Sequence, residues 1–75
     1  MGRLPVVSGR ELVRGLEKVG YVVDRQKGSH IVLRHTEPPF RRVTVPDHKE
    51  LARGTLRALL RQVGLTLDEL IDLLN

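Results

Sequence analysis

The sequence predicts an α+β fold in which three antiparallel strands form one sheet and helices cover one face of it. The first observation is a pair of capping boxes, Ser8 with Glu11 and Thr66 with Glu69, each leading into an apolar pattern of helical spacing. The second is a set of three short β-prone runs between residues 21 and 45, separated by Gly- and Pro-containing stretches. Together they give the element order α-β-β-β-α-α, a two-layer sandwich.

The first predicted helix runs from about Gly9 to Val19. Val7 and Leu12 occupy the positions of a hydrophobic staple around its capping box. Gly20 is a typical C-terminal stop, and residues 1–7 are read as a loose lead-in. The apolar residues of the helix share one face: Leu12, Val13, Leu16 and Val19.

The three predicted strands form a meander. Residues 36–40 are polar and proline-rich without glycine, which favours a longer hairpin loop over a two-residue turn. Pro46 ends the third strand, in which alternation puts Val43 and Val45 on one face. The second strand is apolar at three consecutive positions, so its buried face stays open. The strands are Tyr21–Arg25, His30–His35 and Arg41–Val45.

Two further helices follow a loop over residues 46–49. The longer one runs from about Glu50 to Val63 and has a strong apolar stripe, although Gly54 weakens its first turn, so that the regular helix can begin as late as Gly54-Thr55. Gly64 ends it. The last helix spans Leu67 to Leu74, with these residues on one face: Leu67, Leu70, Ile71 and Leu74.

Length and composition bound the possibilities. The 75 residues predict a single domain over residues 1–75 with a thin core and no deep substrate cavity. Cysteine is absent, which excludes disulfides and thiolate metal sites and fits a reducing compartment, so a cytoplasmic location is expected. No apolar run approaches the ~20 residues of a membrane span, so no membrane association is predicted.

Charge is distributed unevenly along the chain. Residues 1–61 hold all 13 Lys and Arg residues and carry a net +7, whereas residues 62–75 carry a net −3, which gives the overall +4. A basic body favours nucleic acid or another acidic partner, although it would also serve solubility alone. Most of the cations are arginine, which binds phosphate through a forked pair of donors.

The stretch Lys27-Gly28-Ser29-His30 is the candidate site. It is predicted to turn the chain between the first two strands, because Gly and Ser are common turn residues. His30 then lies at the mouth of the second strand, with Arg25 and Lys27 beside it. A titratable group next to fixed positive charge suits a polyanion such as RNA, but the spacing by itself favours an ordinary hairpin turn with a surface histidine.

Two rows of cations recur every four residues along the predicted helices. Residues four apart share a helix face, and like charges stacked in this way repel each other. A bound polyanion would relieve that repulsion, so the rows favour RNA or phosphate binding over a merely solvated face. The first row is Arg10, Arg14 and Lys18, and the second is Arg53, Arg57 and Arg61.

The three histidines do not form a metal site. His30 and His35 are five residues apart on an extended strand and point to opposite faces, and no carboxylate cluster accompanies them. No cofactor is predicted. A histidine beside cations is, however, sufficient for metal-free RNA cleavage, because the 2′-OH of RNA is an internal nucleophile next to the scissile phosphate.

The sequence resembles the HicA family of toxin–antitoxin mRNA interferases, also described as YcfA-like. Three blocks carry the resemblance and occur in the family's order and spacing, from about Ser8 to the C-terminus. One departure lies in the hairpin loop, where Glu37-Pro38-Pro39 replaces a common Asp-Gly turn. The blocks are Gly20-Tyr21 with the segment 25–30 (RQKGSH), Val45-Pro46-Asp47-His48, and the segment 54–66 (GTLRALLRQVGLT).

This resemblance implies a fold like the double-stranded-RNA-binding domain, an mRNA substrate and a HicB-type antitoxin that inhibits by binding. It also implies that His30 is the catalytic residue, positioned by the Gly-Ser turn. On this interpretation the RNA-binding residues are Arg25, Lys27, Gly28, Ser29, Lys49, Arg53, Arg57 and Arg61. Two alternatives stay open: a non-catalytic RNA-binding module, and a protein-interaction module that binds an acidic partner.

Overall fold

The computed structural model of the protein describes residues 6–75. The α+β class and the predicted element order are confirmed. The sheet is antiparallel with the strand order β1-β2-β3. The elements are α1 (Gly9–Glu17), β1 (Tyr21–Lys27), β2 (His30–His35), β3 (Arg42–Pro46), α2 (Arg53–Val63) and α3 (Leu67–Leu74).

Both predicted capping boxes are present. At α1 the Glu11 amide donates to Ser8 Oγ over 3.0 Å, and the Ser8 amide donates to the Glu11 carboxylate over 2.9 Å. Thr66 and Glu69 make the same reciprocal pair at the start of α3. α2 ends at Gly64, whose φ of 76° is the left-handed conformation that glycine tolerates best.

The ends of several elements differ from the predicted ones. β1 continues two residues further, to Lys27, because the turn that follows needs only two residues. α1 is shorter than predicted, since the Lys18 and Val19 amides bond back three residues and tighten the last turn. α2 begins at Arg53, because the Leu51 amide is instead bonded to the Val7 carbonyl.

The predicted lead-in over residues 1–7 lies mostly outside the described residues. Its last residue is not loose: Val7 is buried and accepts the hydrogen bond from Leu51. The staple partner Leu12 is fully buried as well. The chain is therefore anchored to the core from Val7 onward.

The hydrophobic core lies between the sheet and the helix layer. In β2, Ile31 and Leu33 are buried and Val32 is only half-buried, which identifies the face that the sequence left open. Val45 and Val43 lie opposite them in β3, as alternation predicts. One continuous cluster joins these strand residues to leucines of all three helices, among them Leu12, Leu16, Leu56, Leu59 and Leu70.

A β-bulge in β1 changes which residues share a face. The register with β2 shifts between Val23 and Arg25, so that Asp24 has no cross-strand partner. Unbroken alternation from Val23 would point Arg25 toward the helices. The bulge instead places Arg25 and Lys27 on the face opposite the helices and turns Gln26 toward the helix layer.

Candidate functional site

His30 lies at one end of the sheet, flanked on both sides by neighbouring strands. It is the first residue of β2 and is directly opposite Lys27 of β1 and Pro46 of β3. Directly opposite residues have Cβ atoms about 4.5–5.5 Å apart. Both His30 and Lys27 are exposed, so a solvent-accessible imidazole and an ammonium group are held side by side by the sheet.

The turn that joins these two residues is tight. It consists of Gly28 and Ser29 alone, and Gly28 has a φ of 58°. A positive φ at the first of two turn residues is typical of a type II′ hairpin, which favours glycine there. A Cβ on Gly28 would meet nothing within 4 Å. Glycine is therefore needed for its backbone conformation, and the space above the turn is open.

Asp47 connects the turn to the rest of the protein. Its carboxylate accepts two hydrogen bonds from the Arg10 guanidinium, at 3.0 and 2.9 Å, and one from Gln26 Nε2 at 3.2 Å. Its backbone amide donates to the Ser29 carbonyl over 2.7 Å. Asp47, the residue that follows β3, thus links α1, β1 and the turn that presents His30.

The electrostatics of Asp47 follow from these contacts. The hydrogen bonds and positive charge of Arg10 hold the pKa of the Asp47 carboxyl below its ordinary value, with a smaller contribution from Gln26. The same pairing raises the pKa of Arg10. The carboxylate is therefore committed to fixing the site's geometry and is not a free general base at neutral pH.

The N-terminus of α1 packs closely against the segment that follows β3. The Gly9 amide donates to the His48 carbonyl over 2.9 Å, and a Cβ on Gly9 would lie 1.9 Å from the Pro46 carbonyl oxygen. Only glycine permits this approach. A shallow groove of about 430 Å³ results, lined by Ser8, Arg10, Asp47, His48 and Lys49.

The predicted RNA-binding residues do not all converge on His30. Arg25 and Lys27 lie on its face of the sheet, and Lys49 lies in the groove beside the turn. Arg53, Arg57 and Arg61 are exposed on α2, which packs against β3 from the helix layer. The row on α2 is thus separated from the His30 face by the thickness of the sheet.

The row of cations on α1 is largely engaged by the protein itself. Arg10 is paired with Asp47, and Lys18 Nζ donates to the Leu73 carbonyl of α3. Arg14 is exposed. These contacts give Arg10 and Lys18 structural roles that the four-residue spacing did not suggest.

The other two histidines have different surroundings. His35 is half-buried: its Nε2 lies 3.0 Å from the Val19 carbonyl, its Nδ1 accepts from the Glu37 amide, and its ring meets Tyr21 edge-on at 4.9 Å. It is a structural residue. His48 is exposed in the loop after β3. Within residues 6–75, no three His, Cys, Asp or Glu side chains lie close enough together to hold a metal ion.

Sequence reasoning missed the supporting residues Arg10, Gln26 and Asp47. Gln26 and Asp47 both stand in the motif blocks, but no spacing rule indicates that residues 21 positions apart hydrogen-bond to each other. Their meeting depends on the bulge at Asp24, which reverses the direction of Gln26.

The protein is a small α+β domain whose fold is similar to the double-stranded-RNA-binding domain, and it carries an exposed histidine on a basic hairpin. Residues 9–65 match the family model of the HicA toxin of bacterial toxin–antitoxin systems. The chain belongs to this family, which confirms the resemblance, and it is therefore a toxin whose partner is an antitoxin. The matched segment runs from the start of α1 to the residue after Gly64 and leaves α3 outside.

No curated protein sequence matches the chain. Within residues 6–75, no helix is both long and apolar enough to cross a membrane.

Proposed function

We propose that this toxin is a metal-independent endoribonuclease that cleaves mRNA, with His30 as its catalytic residue. The observation that carries the proposal is the direct cross-strand pairing of His30 with Lys27 at an exposed hairpin end. General acid or base catalysis requires an imidazole that can reach substrate, and a developing negative charge requires a nearby cation. The pair supplies both on rigid strands.

The reaction uses the RNA's own nucleophile. The 2′-oxygen attacks the adjacent phosphorus, the bond from phosphorus to the 5′-oxygen breaks, and the products are a 2′,3′-cyclic phosphate and a 5′-hydroxyl. The 2′-oxygen loses a proton and the leaving 5′-oxygen gains one. His30 performs one of these two transfers, and Lys27 stabilises the charge on the phosphate oxygens.

The surrounding residues hold the substrate. Arg25 lies two positions before Lys27 on the same face, and Gly28 and Ser29 are both exposed. Lys49 reaches the reacting region from the groove. The α2 residues Arg53, Arg57 and Arg61 hold RNA that extends past the edge of the sheet, since they lie on the other layer.

The antitoxin proposed for this toxin is a HicB-type protein with an acidic surface that covers His30. Burial of about 800 Å² on each partner is typical of a specific complex. The toxin is proposed to act as one domain in the cytoplasm, where mRNA is available.

The test is a gel assay of purified protein on a long RNA, with and without EDTA. The wild type is expected to cleave in both conditions and to leave 2′,3′-cyclic or 3′-phosphate ends, whereas His30→Ala is expected to be inactive but folded. Salt-sensitive RNA binding without cleavage by the wild type would indicate the RNA-binding module instead. Absence of both would indicate the protein-interaction module.

A further inference from the structure

The sheet has one face that the helices leave open. Its residues follow from the strand register, because side chains directly opposite each other point to the same face. Every member is exposed or half-buried, whereas the other face carries the core residues of the sheet, with Val23 and Gln26 exposed on β1. From β1 to β3 the open face comprises Val22, Arg25, Lys27, His30, Val32, Arg34, Arg42, Thr44 and Pro46.

This open face is strongly basic. Four cations surround His30 and Val32, and Arg34 and Arg42 are directly opposite each other in the β2–β3 ladder. Like charges in that position repel. The acid beside them is Asp24, the bulge residue, which accepts from Arg42 over 2.9 Å. The Arg42 side chain nevertheless stays 61% exposed and retains donors for a ligand.

The remaining residues of the open face leave it flat. Val22, Val32 and Thr44 are short β-branched side chains, and among the described residues the imidazole of His30 is the only aromatic ring on this face. Base stacking on aromatic rings is the usual source of affinity where a sheet binds RNA. A ligand on this face is therefore held mainly by electrostatic attraction to the cations. This favours a ligand whose negative charges repeat along its length.

We propose that the open face is a binding track for the phosphate backbone of an RNA strand, in which Arg34 and Arg42 contact the phosphates of the segment that leads to His30. This inference rests on the proposed function and extends it. Charge complementarity identifies the occupant, and continuity with His30 explains the location, because these two arginines share its face whereas the cations of α2 do not.

The experiment measures binding of an unstructured RNA oligonucleotide in a His30→Ala background, so that no cleavage occurs. Arg34→Gln and Arg42→Gln are each compared with Arg41→Gln, which removes the same charge from an exposed residue whose guanidinium donates to the Gln62 carbonyl of the helix layer. Each open-face variant is expected to bind several-fold more weakly and to flatten the plot of log K against log salt by about 0.7. Arg41→Gln is expected to match the parent.

A substitution of Asp24, the residue of the bulge, should change RNA affinity in the opposite direction. Asp24→Asn frees Arg42 from its ion pair and removes a negative charge from the track, so RNA binding is expected to tighten. Glu17→Gln is its control, since it removes one acid from the exposed surface of α1. Arg34→Lys keeps the charge and is expected to retain most of the affinity, and thermal melts verify that every variant is folded.

The outcomes distinguish a failure of the binding track from a failure of the proposed ribonuclease activity. If the parent binds RNA and the wild type cleaves it, but the open-face variants behave as Arg41→Gln does, the proposed binding track is wrong and the proposed ribonuclease activity is unaffected. If the parent binds no RNA, both the binding track and the proposed ribonuclease function are wrong. If Arg34→Gln and Arg42→Gln weaken only antitoxin binding, the face belongs to an acidic protein and the inference is wrong.

Discussion

Lys27 is the cross-strand partner of His30, and only Gly28 and Ser29 separate them along the chain. The pairing places an ammonium group beside an imidazole at an exposed hairpin end. It depends on the bulge at Asp24, because unbroken alternation from Val23 would point Lys27 toward the helices. The relation between the two side chains is therefore a property of the sheet and not of their proximity in sequence.

Removal of the Lys27 charge should slow cleavage without unfolding the protein. Lys27→Met keeps the length of an exposed strand residue and removes the cation beside the reacting phosphate. The loss of one group that stabilises developing charge typically costs about 10²–10³-fold in rate. Single-turnover cleavage rates of Lys27→Met and of the control Arg41→Gln would measure it. Equal rates for the two variants would show that the Lys27 charge does not contribute to cleavage.

His30 should matter for chemistry and His35 for folding. His30→Ala is expected to slow cleavage by about 10²–10⁴-fold and to change the free energy of unfolding by less than about 1 kcal/mol, as surface substitutions do. His35→Ala breaks the contacts with Val19 and Glu37 and should destabilise by about 1–3 kcal/mol, while its folded fraction still cleaves. Cleavage assays and urea titrations of both variants provide the comparison, and a His30→Ala protein inactive only because it is unfolded would contradict it.

The sequence predicted the elements well because local signals determine them. Capping boxes, glycine stops and apolar periodicity each depend on residues a few positions apart, and they placed all three helices and all three strands. The predicted end of β1 was too early, because a turn of Lys27-Gly28-Ser29 and one of Gly28-Ser29 cannot be distinguished by composition. The candidate residue His30 was placed correctly at the start of β2.

The faces of the sheet could not be predicted in the same way. The bulge at Asp24 has no glycine and no other marker in the sequence, yet it decides on which side Arg25, Gln26 and Lys27 lie. The Arg10–Asp47 pair joins residues 37 positions apart and exists only once α1 packs on the end of β3. Both features are consequences of tertiary packing, which local periodicity does not record.

Two helical glycines should respond in opposite ways to alanine. Gly9→Ala forces a methyl group against the Pro46 carbonyl and should destabilise by about 1–3 kcal/mol, as overpacking does. Gly54→Ala enters open space near the start of α2 and should stabilise by about 0.5–1 kcal/mol through higher helix propensity. Urea unfolding of both variants is the measurement, and a Gly9→Ala protein as stable as the wild type would contradict the close approach.

The α2 row can be tested separately from the sheet. If Arg53, Arg57 and Arg61 each contact a phosphate, replacement of all three with Gln should flatten the salt dependence of RNA binding by about 2, which is three times the single-strand value of about 0.7. The measurement uses a long RNA in the His30→Ala background, with Arg41→Gln as the single-charge control. An unchanged slope would show that this row is only a solvated helix face.

Acidic pH should destabilise the protein by protonating Asp47, which pairs with Arg10 and holds the turn beside His30. Its pKa is lowered in the folded protein, chiefly by Arg10, so its contribution to stability is complete above the ordinary carboxyl value of about 4 and is lost as the pH falls through the folded value. Glu11 acts in the same direction, because its pKa is lowered by the hydrogen bond from the Ser8 amide. The free energy of unfolding should therefore decline as the pH falls below about 4.

Two variants isolate the part of this decline that belongs to Asp47. Arg10→Gln removes the guanidinium and should return the pKa of Asp47 toward its ordinary value, which an NMR titration of the Asp47 carboxyl would detect. Asp47→Asn cannot ionise and should show a shallower loss of stability in acid. The same variant should also cleave RNA more slowly at neutral pH, because the turn that presents His30 loses its charged link to α1. An Asp47 carboxyl that titrates at the same pH with and without Arg10 would show that the ion pair does not lower its pKa.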